Sequence, residues 1–301
     1  MLTTAELRNV ARRSGARDIG NVEIDVLLTH ILQLFHERGL LEHLAFKGGT
    51  MLRKMVFGPR GRLSTDLDFT KCSDIDGDDL LLEIAATLHD APYHDITFLL
   101  ERDKDWYRIA DGLSANPLCT HEANKIGVRI KIQVSTREMP ILPVLPLAQL
   151  EQDYFKLLPF EPAAIPCLAF EEIVGEKIRA ASQRSKVRDL HDLSEIAKRA
   201  INRDLIRSLA VLKLWGVDDA LSFGRFRERI ETADYDVDDL RMLLRRDENP
   251  DLKALTGRVI EGFQFLGQLT DAERALVADA RGQLRDEALA LVEQLRAGAA
   301  G

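Results

Sequence analysis

Gly48, Gly49 and Thr50 stand at a change of pattern, where the apolar run LAF gives way to the helical pattern MLRKMVF. Such an order predicts a strand, a turn and a helix. Glycines at the turn let backbone N–H groups approach a phosphate, and the start of the helix adds unpaired donors. The Thr50 hydroxyl could join them or cap the helix. The three residues predict a phosphate-binding loop, although a tight turn without a ligand has the same pattern.

Asp66 and Asp68 stand two positions apart in TDLDFT, where polar and apolar residues alternate. In a β-strand both carboxylates would point to one face, while Leu67 and Phe69 face the core. Two adjacent negative charges repel each other unless water or a divalent cation such as Mg²⁺ compensates them. A solvated strand end therefore remains an alternative. Together with the glycine loop, the pair predicts metal-assisted phosphoryl or nucleotidyl transfer.

Lys177 lies inside the apolar stripe of another helical pattern, FEEIVGEKIRAASQR. An ammonium on the buried side of a helix needs an anionic partner, which could be a triphosphate or a carboxylate. Asp189 and Asp192 follow in RDLHDL, three positions apart, so a helix would place them on one face. Asp189 could instead cap that helix, a role that fits Asp192 less well.

Basic residues are locally concentrated in a chain that is acidic as a whole. The net charge of −8 excludes a nonspecific nucleic-acid binder, which would need a phosphate-neutralising surface. On one continuous helix, Lys177, Arg184 and Arg188 would align on one side. We therefore predict RNA contacts at Arg184, Lys186 and Arg188. A second concentration lies near the glycine loop and comprises Lys47, Arg53, Lys54, Arg60 and Arg62.

The elements that must position these residues predict an α/β (α+β) fold in two parts. N-terminal helices, the first with Thr3 and Glu6 in capping-box spacing, precede the strand patterns LAF, TDLDFT, DITFLLER and VRIKIQVS. Repeated prolines from Met139 block regular elements, and the remaining patterns are helical. We place an α/β domain with N-terminal helices over residues 1–150 and an α-helical domain over residues 165–301.

Composition narrows the class of protein. No run approaches the roughly 20 apolar residues of a membrane-spanning helix, and the N-terminus lacks the apolar stretch of a signal peptide. We expect a cytoplasmic protein. The cysteines Cys72, Cys119 and Cys167 are few and widely spaced, which argues against a disulfide framework or a cysteine metal cage.

The two motifs together resemble the nucleotidyltransferase toxins of the AbiEii/AbiGii type, the family that includes the mycobacterial MenT toxins. The resemblance rests on FKGGTMLRKMVFGPRGRLSTDLDFT and, far downstream, EEIVGEKIRAASQRSKVRDLHDL. It implies a DNA polymerase β-like nucleotidyltransferase domain with a mixed sheet, followed by an α-helical C-terminal domain. It also implies a bacterial toxin, with a cognate antitoxin and a role in phage defence. Such a toxin transfers NMP from an NTP to an RNA acceptor, in particular the 3′ end of tRNA, and blocks translation.

The resemblance also implies roles for residues of the first motif. Gly49 and Thr50, with Gly48 before them, match the family's triphosphate-binding loop. Asp66 and Asp68 match its metal-binding pair. The implied cofactor is Mg²⁺ or Mn²⁺, and the implied substrate is an NTP.

In the second motif, Lys177 would meet the nucleotide phosphates, and Asp192 would help place the nucleotide or activate the acceptor. The sequence departs from the family pattern at Gln133, where polymerase β-like sites usually have a third carboxylate. Glutamine binds a cation less strongly than a carboxylate does, and Lys131 on the same strand face would disfavour a second metal ion. We expect one metal ion, with Gln133 as a weak ligand or nucleotide contact.

Two other functions fit the same residues. Transfer of a nucleotide to a protein hydroxyl would use the same phosphate and metal apparatus without the basic stretch from Lys177 to Arg188. A catalytically degenerate nucleotide-binding module would explain Gln133. The sequence leaves the preferred NTP, the acceptor, the mode of antitoxin action and the oligomeric state open.

Overall fold

The computed structural model describes residues 1–89, 92–102, 104–279 and 281–299. The chain forms two compact units. The first comprises Met1–Pro140, Val144–Leu168 and Met242–Glu248, and the second comprises Ile141–Pro143, Ala169–Arg241 and the residues from Asn249 on. Across these described ranges, no helix is long and apolar enough to cross a membrane.

The first unit combines helices with a mixed sheet. Its helices are α1 (Thr4–Ser14), α2 (Ile19–Glu37), α3 (Gly48–Met51) and α4 (Gly77–Leu88). Thr3 and Glu6 form the predicted capping box at the start of α1. Most of α2 is buried, including Leu27 and Phe35, so this helix supplies much of the core of the unit.

Ten short strands form two sheets in the described part of the chain. They are β1 (Leu44–Lys47), β2 (Asp66–Lys71), β3 (Thr97–Leu99), β4 (Trp106–Ile109), β5 (Gly112–Ala115), β6 (Leu118–His121), β7 (Asn124–Arg129), β8 (Lys131–Ser135), β9 (Leu145–Leu147) and β10 (Ile165–Cys167). The larger sheet has the order β4-β5-β8-β2-β1-β10-β9, and the smaller one has the order β3-β6-β7. β2 is antiparallel to β1 and parallel to β8.

Two sequence expectations about strands were wrong in detail. The pattern VRIKIQVS is not one strand, because β7 ends at Arg129 in the smaller sheet and β8 begins at Lys131 in the larger one. The proline-rich region also contains regular structure, since β9 and β10 add to the larger sheet beside β1. Pro146 is accommodated because β9 is an edge strand, where a residue without an N–H group costs no ladder hydrogen bond.

A buried ionic cluster supports the segment that follows the glycine loop. The Lys54 ammonium donates to Asp25 Oδ1 at 3.1 Å, to Thr29 Oγ1 at 2.8 Å and to the Tyr154 hydroxyl at 3.0 Å. Burial alone would raise the pKa of Asp25, but Lys54 and Arg53 outweigh it and hold that pKa below its usual value. Arg53 and Lys54 therefore stabilise the fold, although the sequence groups them with the basic residues near the loop.

The second unit is helical. Its helices are α5 (Phe170–Gln183), α6 (Val187–Ile196), α7 (Arg203–Trp215), α8 (Phe223–Thr232), α9 (Val237–Arg241), α10 (Leu252–Gly262), α11 (Asp271–Ala278) and α12 (Arg285–Ala299). A break separates α5 from α6 at residues 184–186, so Lys177 and Arg188 do not share the continuous helix that would have aligned them.

Candidate functional site

Strand β2 presents the two aspartates of the first motif on one face. Leu67 and Phe69 are fully buried, whereas Asp66 and Asp68 are half-buried. This alternation follows from the pleat of the strand, which turns successive side chains to opposite faces. The structure therefore brings Asp66 and Asp68 together, as the sequence pattern predicts.

The glycine loop lies against the start of β2. The Thr50 hydroxyl donates a hydrogen bond of 2.5 Å to the main-chain carbonyl of Asp66, and the Ser64 hydroxyl donates one of 3.1 Å to Asp66 Oδ1. Because a threonine has a single hydroxyl proton, Thr50 can offer a phosphate only its backbone N–H group in this conformation. Its side chain ties the loop to the strand instead of capping α3, for which no side-chain cap is formed.

Gly48 is required by its backbone and by its neighbour. Its φ of +80° lies in the left-handed region that favours glycine. A Cβ atom at this position would also overlap the carboxylate of Asp68. The loop and the second aspartate are thus in close contact, which is consistent with one phosphate and metal site beside β1 and β2.

Arg62 is a candidate residue that the sequence did not distinguish from its basic neighbours. It is 5% exposed, and its Nη2 atom lies where a Cβ atom of Gly49 would overlap it. Its Nη1 atom donates to the Leu63 carbonyl at 3.2 Å. A guanidinium beside a glycine loop is suited to a phosphate. The sequence does not single out Arg62, because four other basic residues lie in the same stretch.

Strand register extends the site across the sheet. Lys47 of β1 and Gln133 of β8 are the register partners of Asp68, and Ser114 of β5 is the partner of Gln133. The side chains of register partners share a face of the sheet, so these four residues form one polar row. Gln133 therefore lies on the same face as Asp68, at the place the sequence assigned to it.

Lys131 occupies the next position of the same face. It is the register partner of Asp66, it is exposed, and it forms no hydrogen bond or ion pair with any residue that the structure describes. Adjacent strands are about 4.8 Å apart, so the long side chain of Lys131 starts from the strand position next to Asp66, on the face that carries both carboxylates.

The second unit gathers the residues of the second motif around Lys177. Its ammonium lies 2.9 Å from Asp189 Oδ1 and 2.7 Å from Asp192 Oδ2, and all three residues are buried. Burial alone would raise the pKa of Asp189, but Lys177 and Arg184 lower it below its usual value. The carboxylate partner that the sequence left open is thus present, and Asp189 acts as an ion-pair partner and not as a side-chain cap.

The three predicted RNA-binding residues differ in their surroundings. Arg184 is exposed and donates to Asp189 Oδ2 at 2.8 Å. Lys186 is exposed at the start of α6. Arg188 is half-buried and forms a bidentate pair with Asp239, at 2.8 Å from Nε to Oδ2 and 2.5 Å from Nη2 to Oδ1. The first two are the ones that present charge to solvent.

Comparison with known families decides the identity. A family model described as "Nucleotidyl transferase AbiEii toxin, Type IV TA system" matches residues 31–287. The chain belongs to the AbiEii nucleotidyltransferase toxin family. It is therefore a nucleotidyltransferase toxin of a type IV toxin–antitoxin system, and a cognate antitoxin is implied. A comparison with curated proteins gives no match.

Several solved structures are similar to this chain. MenT4, a nucleotidyltransferase toxin from Mycobacterium tuberculosis H37Rv, is 27% identical with a TM-score of 0.80, over 98% of this chain and 100% of that chain. A Helicobacter pylori protein is 19% identical with a TM-score of 0.50, over 83% of this chain and 95% of that one, and JHP933 from Helicobacter pylori is 18% identical with a TM-score of 0.49, over 83% and 92%. The likeness to MenT4 confirms the predicted mixed α/β nucleotidyltransferase fold with a helical C-terminal region.

Proposed function

We propose that this AbiEii toxin transfers NMP from an NTP to an RNA acceptor, the 3′ end of tRNA, and thereby blocks translation. The observation that carries the proposal is the hydrogen bond from the Thr50 hydroxyl to the main-chain carbonyl of Asp66. This bond joins a glycine loop to a carboxylate pair in the first unit. A loop for phosphates beside ligands for a divalent cation is the apparatus that nucleotidyl transfer requires.

NMP transfer from the NTP to the acceptor hydroxyl needs no other reactant. The acceptor hydroxyl oxygen forms a bond to the α-phosphorus of the NTP. The bond from that phosphorus to the bridging oxygen breaks, and pyrophosphate leaves with the electron pair. The hydroxyl proton passes to water. In this reaction the backbone N–H groups of Gly49 and Thr50 hold the leaving phosphates, with Arg62 beside them.

The two aspartates at the start of β2 fit a magnesium or manganese ion. Asp66 and Asp68 supply carboxylate oxygens on one face, and Ser64 orients Asp66 by its hydrogen bond. Mg²⁺ is commonly held by one or two carboxylates, with water and substrate phosphates as the other ligands. Within the described residues, no group of three or more His, Cys, Asp or Glu side chains could hold a metal. When bound, such an ion would neutralise phosphate charge and activate the attacking oxygen.

One metal ion, rather than two, is the stoichiometry we propose. The position beside Asp68 on β8 carries the neutral Gln133, and the position beside Asp66 carries Lys131. In an in-line displacement the attacking and leaving oxygens lie on opposite sides of the phosphorus. The glycine loop follows β1, on the other side of β2 from β8. Lys131 therefore supplies positive charge on the side from which the acceptor arrives.

Residues of the second unit complete the proposal. We assign Lys177 to the nucleotide phosphates and Asp192 to placing the nucleotide or activating the acceptor, as the resemblance implies. Their ion pair fixes both side chains. Arg184 and Lys186, which expose their charges, are assigned to RNA phosphates, and Arg188 contributes less because Asp239 neutralises it.

The test is incubation of the protein with Mg²⁺, total tRNA and each labelled NTP in turn. We expect label on tRNA with the wild type and with Asp74→Ala, an exposed aspartate beyond β2, but not with Asp68→Ala. Label on a protein and never on RNA would instead establish transfer to a protein hydroxyl. Nucleotide binding without any transfer would identify a degenerate binding module.

A further inference from the structure

A polar cavity of about 410 Å³ lies within the second unit, beside α8. Its lining includes four hydroxyl side chains and two guanidinium groups, namely Ser182, Ser185, Ser222, Thr232, Arg225 and Arg229. The volume lies within the roughly 300–1,000 Å³ that small-ligand sites occupy. Such a lining favours an anionic, hydrogen-bonding ligand over an apolar one.

Arg225 and Arg229 differ in how their charges are compensated. They are four residues apart on α8, so both project from one side of the helix, while Phe226 packs into the core. Arg225 is held by Asp219 Oδ1 at 3.0 Å and by the Ala220 carbonyl. Arg229 is half-buried, and its guanidinium has no ion pair or hydrogen bond with the residues that the structure describes. A partly desolvated cation that faces a polar cavity is stabilised by an anion.

The surroundings of the cavity identify which anion it fits. Ser185 belongs to the turn between α5 and α6, which also carries the exposed residues Arg184 and Lys186, so two further basic side chains adjoin a lining residue of the cavity. Glu228 is the acidic residue of the lining. Its carboxylate would repel a second phosphate but can accept a hydrogen bond from a ribose hydroxyl.

We infer that this cavity binds a phosphate and the adjoining ribose of the RNA acceptor. Arg229 and the hydroxyls of Ser185 and Ser222 donate to the phosphate, and Glu228 accepts from the 2′-hydroxyl. The assignment of RNA as the ligand rests on the proposed function, whereas the inference that the cavity binds a phosphate rests on the cavity alone. The triphosphate of an NTP is the other source of the same chemistry, and the test distinguishes the two.

The experiment measures fluorescence anisotropy of a labelled single-stranded RNA with the full chain, without NTP, over a range of salt concentrations. Arg229→Gln should weaken RNA binding on the order of tenfold and reduce the salt slope by about one. Arg229→Lys should retain much of the affinity because it keeps the charge. Arg227→Gln is the matched control, since Arg227 lies on the same helix outside the cavity lining and is more than half exposed. The wild type should bind a DNA strand of the same sequence more weakly than the RNA. Glu228→Ala, which has no side-chain acceptor for the 2′-hydroxyl, should bind the DNA and the RNA equally.

The outcomes separate this inference from the proposed function. The inference is supported if Arg229→Gln binds RNA more weakly, Arg227→Gln does not, and Arg229→Gln unfolds at the wild-type temperature. This support holds even if no nucleotide is ever transferred to RNA. Weaker binding of a titrated NTP with unchanged RNA binding overturns the RNA assignment and gives the cavity to the nucleotide. Unchanged affinity for both ligands in a folded Arg229→Gln protein overturns the inference altogether.

Discussion

The Thr50 hydroxyl donates a hydrogen bond of 2.5 Å to the main-chain carbonyl of Asp66, sixteen residues later in the chain. The bond joins the first turn after β1 to the first residue of β2. It therefore fixes the distance between the loop that would hold phosphates and the carboxylates that would hold a metal ion. Both residues belong to the proposed site. The hydrogen bond between them positions the loop and the strand and takes no part in the reaction itself.

Thr50→Val should loosen that connection. Valine has the shape of threonine without the hydroxyl, so the partly buried carbonyl of Asp66 loses a donor, at a cost of about 1 kcal/mol in the free energy of unfolding. We expect KM for the NTP to rise more than kcat falls, because the loop must be reordered when the nucleotide binds. Denaturant unfolding and steady-state kinetics measure both effects. Thr50→Ser keeps the donor and should behave as wild type, and an unchanged KM for Thr50→Val would contradict the positioning role.

Lys131→Ala combined with Gln133→Asp should create a second cation site. The double variant replaces a cation by a neutral residue and adds a carboxylate beside Asp68. We expect one Mn²⁺ per chain in the wild type and two in the variant, measured by electron paramagnetic resonance with a non-hydrolysable NTP present. The control is Lys125→Ala, an exposed lysine on β7 in the smaller sheet. Two ions in the wild-type protein would contradict the one-metal proposal.

The sequence predicts those parts of the site that depend on local periodicity. Alternation in β2 places Asp66 and Asp68 on one face, and the glycine pair marks the turn before them. The sequence could not separate Arg62 from Lys54, because one lies at the loop and the other pairs with Asp25 only through tertiary packing. The helical patterns of Lys177 and Asp189 are separate in the sequence, but RAASQRSK contains neither glycine nor proline to mark where the first helix ends, so an alignment of Lys177 with Arg188 on one helix remained a possibility. Register across strands, which joins Lys131 to Asp66, is likewise a tertiary property.

Lys177→Met should destabilise the second unit more than an exposed lysine would. The substitution leaves the buried carboxylates of Asp189 and Asp192 without their shared cation, and breaking a buried pair from one side costs about 3–5 kcal/mol. Lys198→Met, in an exposed pair with Glu195, should cost no more than about 1 kcal/mol. Denaturant unfolding compares the two. Adding Asp189→Asn and Asp192→Asn to Lys177→Met should recover part of the loss, and equal costs for the two lysine variants would contradict this account.

His30 should make stability depend on pH in a defined window. Burial is the main cause that lowers the pKa of this histidine from 6.5 to about 4. The hydrogen bond to the Val26 carbonyl opposes the shift, and the Met1 ammonium, His94 and His121 add to it. The folded protein therefore keeps His30 neutral while the unfolded chain protonates it. The contribution of neutral His30 to the free energy of unfolding is fully present above pH 6.5. It is lost as the pH falls towards about 4, by at most about 1.4 kcal/mol per pH unit.

The measurement is the free energy of unfolding of the wild type and of His30→Phe between pH 7 and pH 4. Phenylalanine cannot be protonated and can pack edge-on to Phe160, as the imidazole does with ring centroids 5.0 Å apart. His36→Phe is the matched control, because His36 is exposed on the same helix. As the pH falls, the free energy of unfolding of His30→Phe should rise relative to that of the wild type. The free energy of unfolding of His36→Phe relative to the wild type should not change. A parallel pH profile for His30→Phe and wild type would mean that the folded protein protonates the imidazole as readily as the unfolded chain does, which would contradict this account.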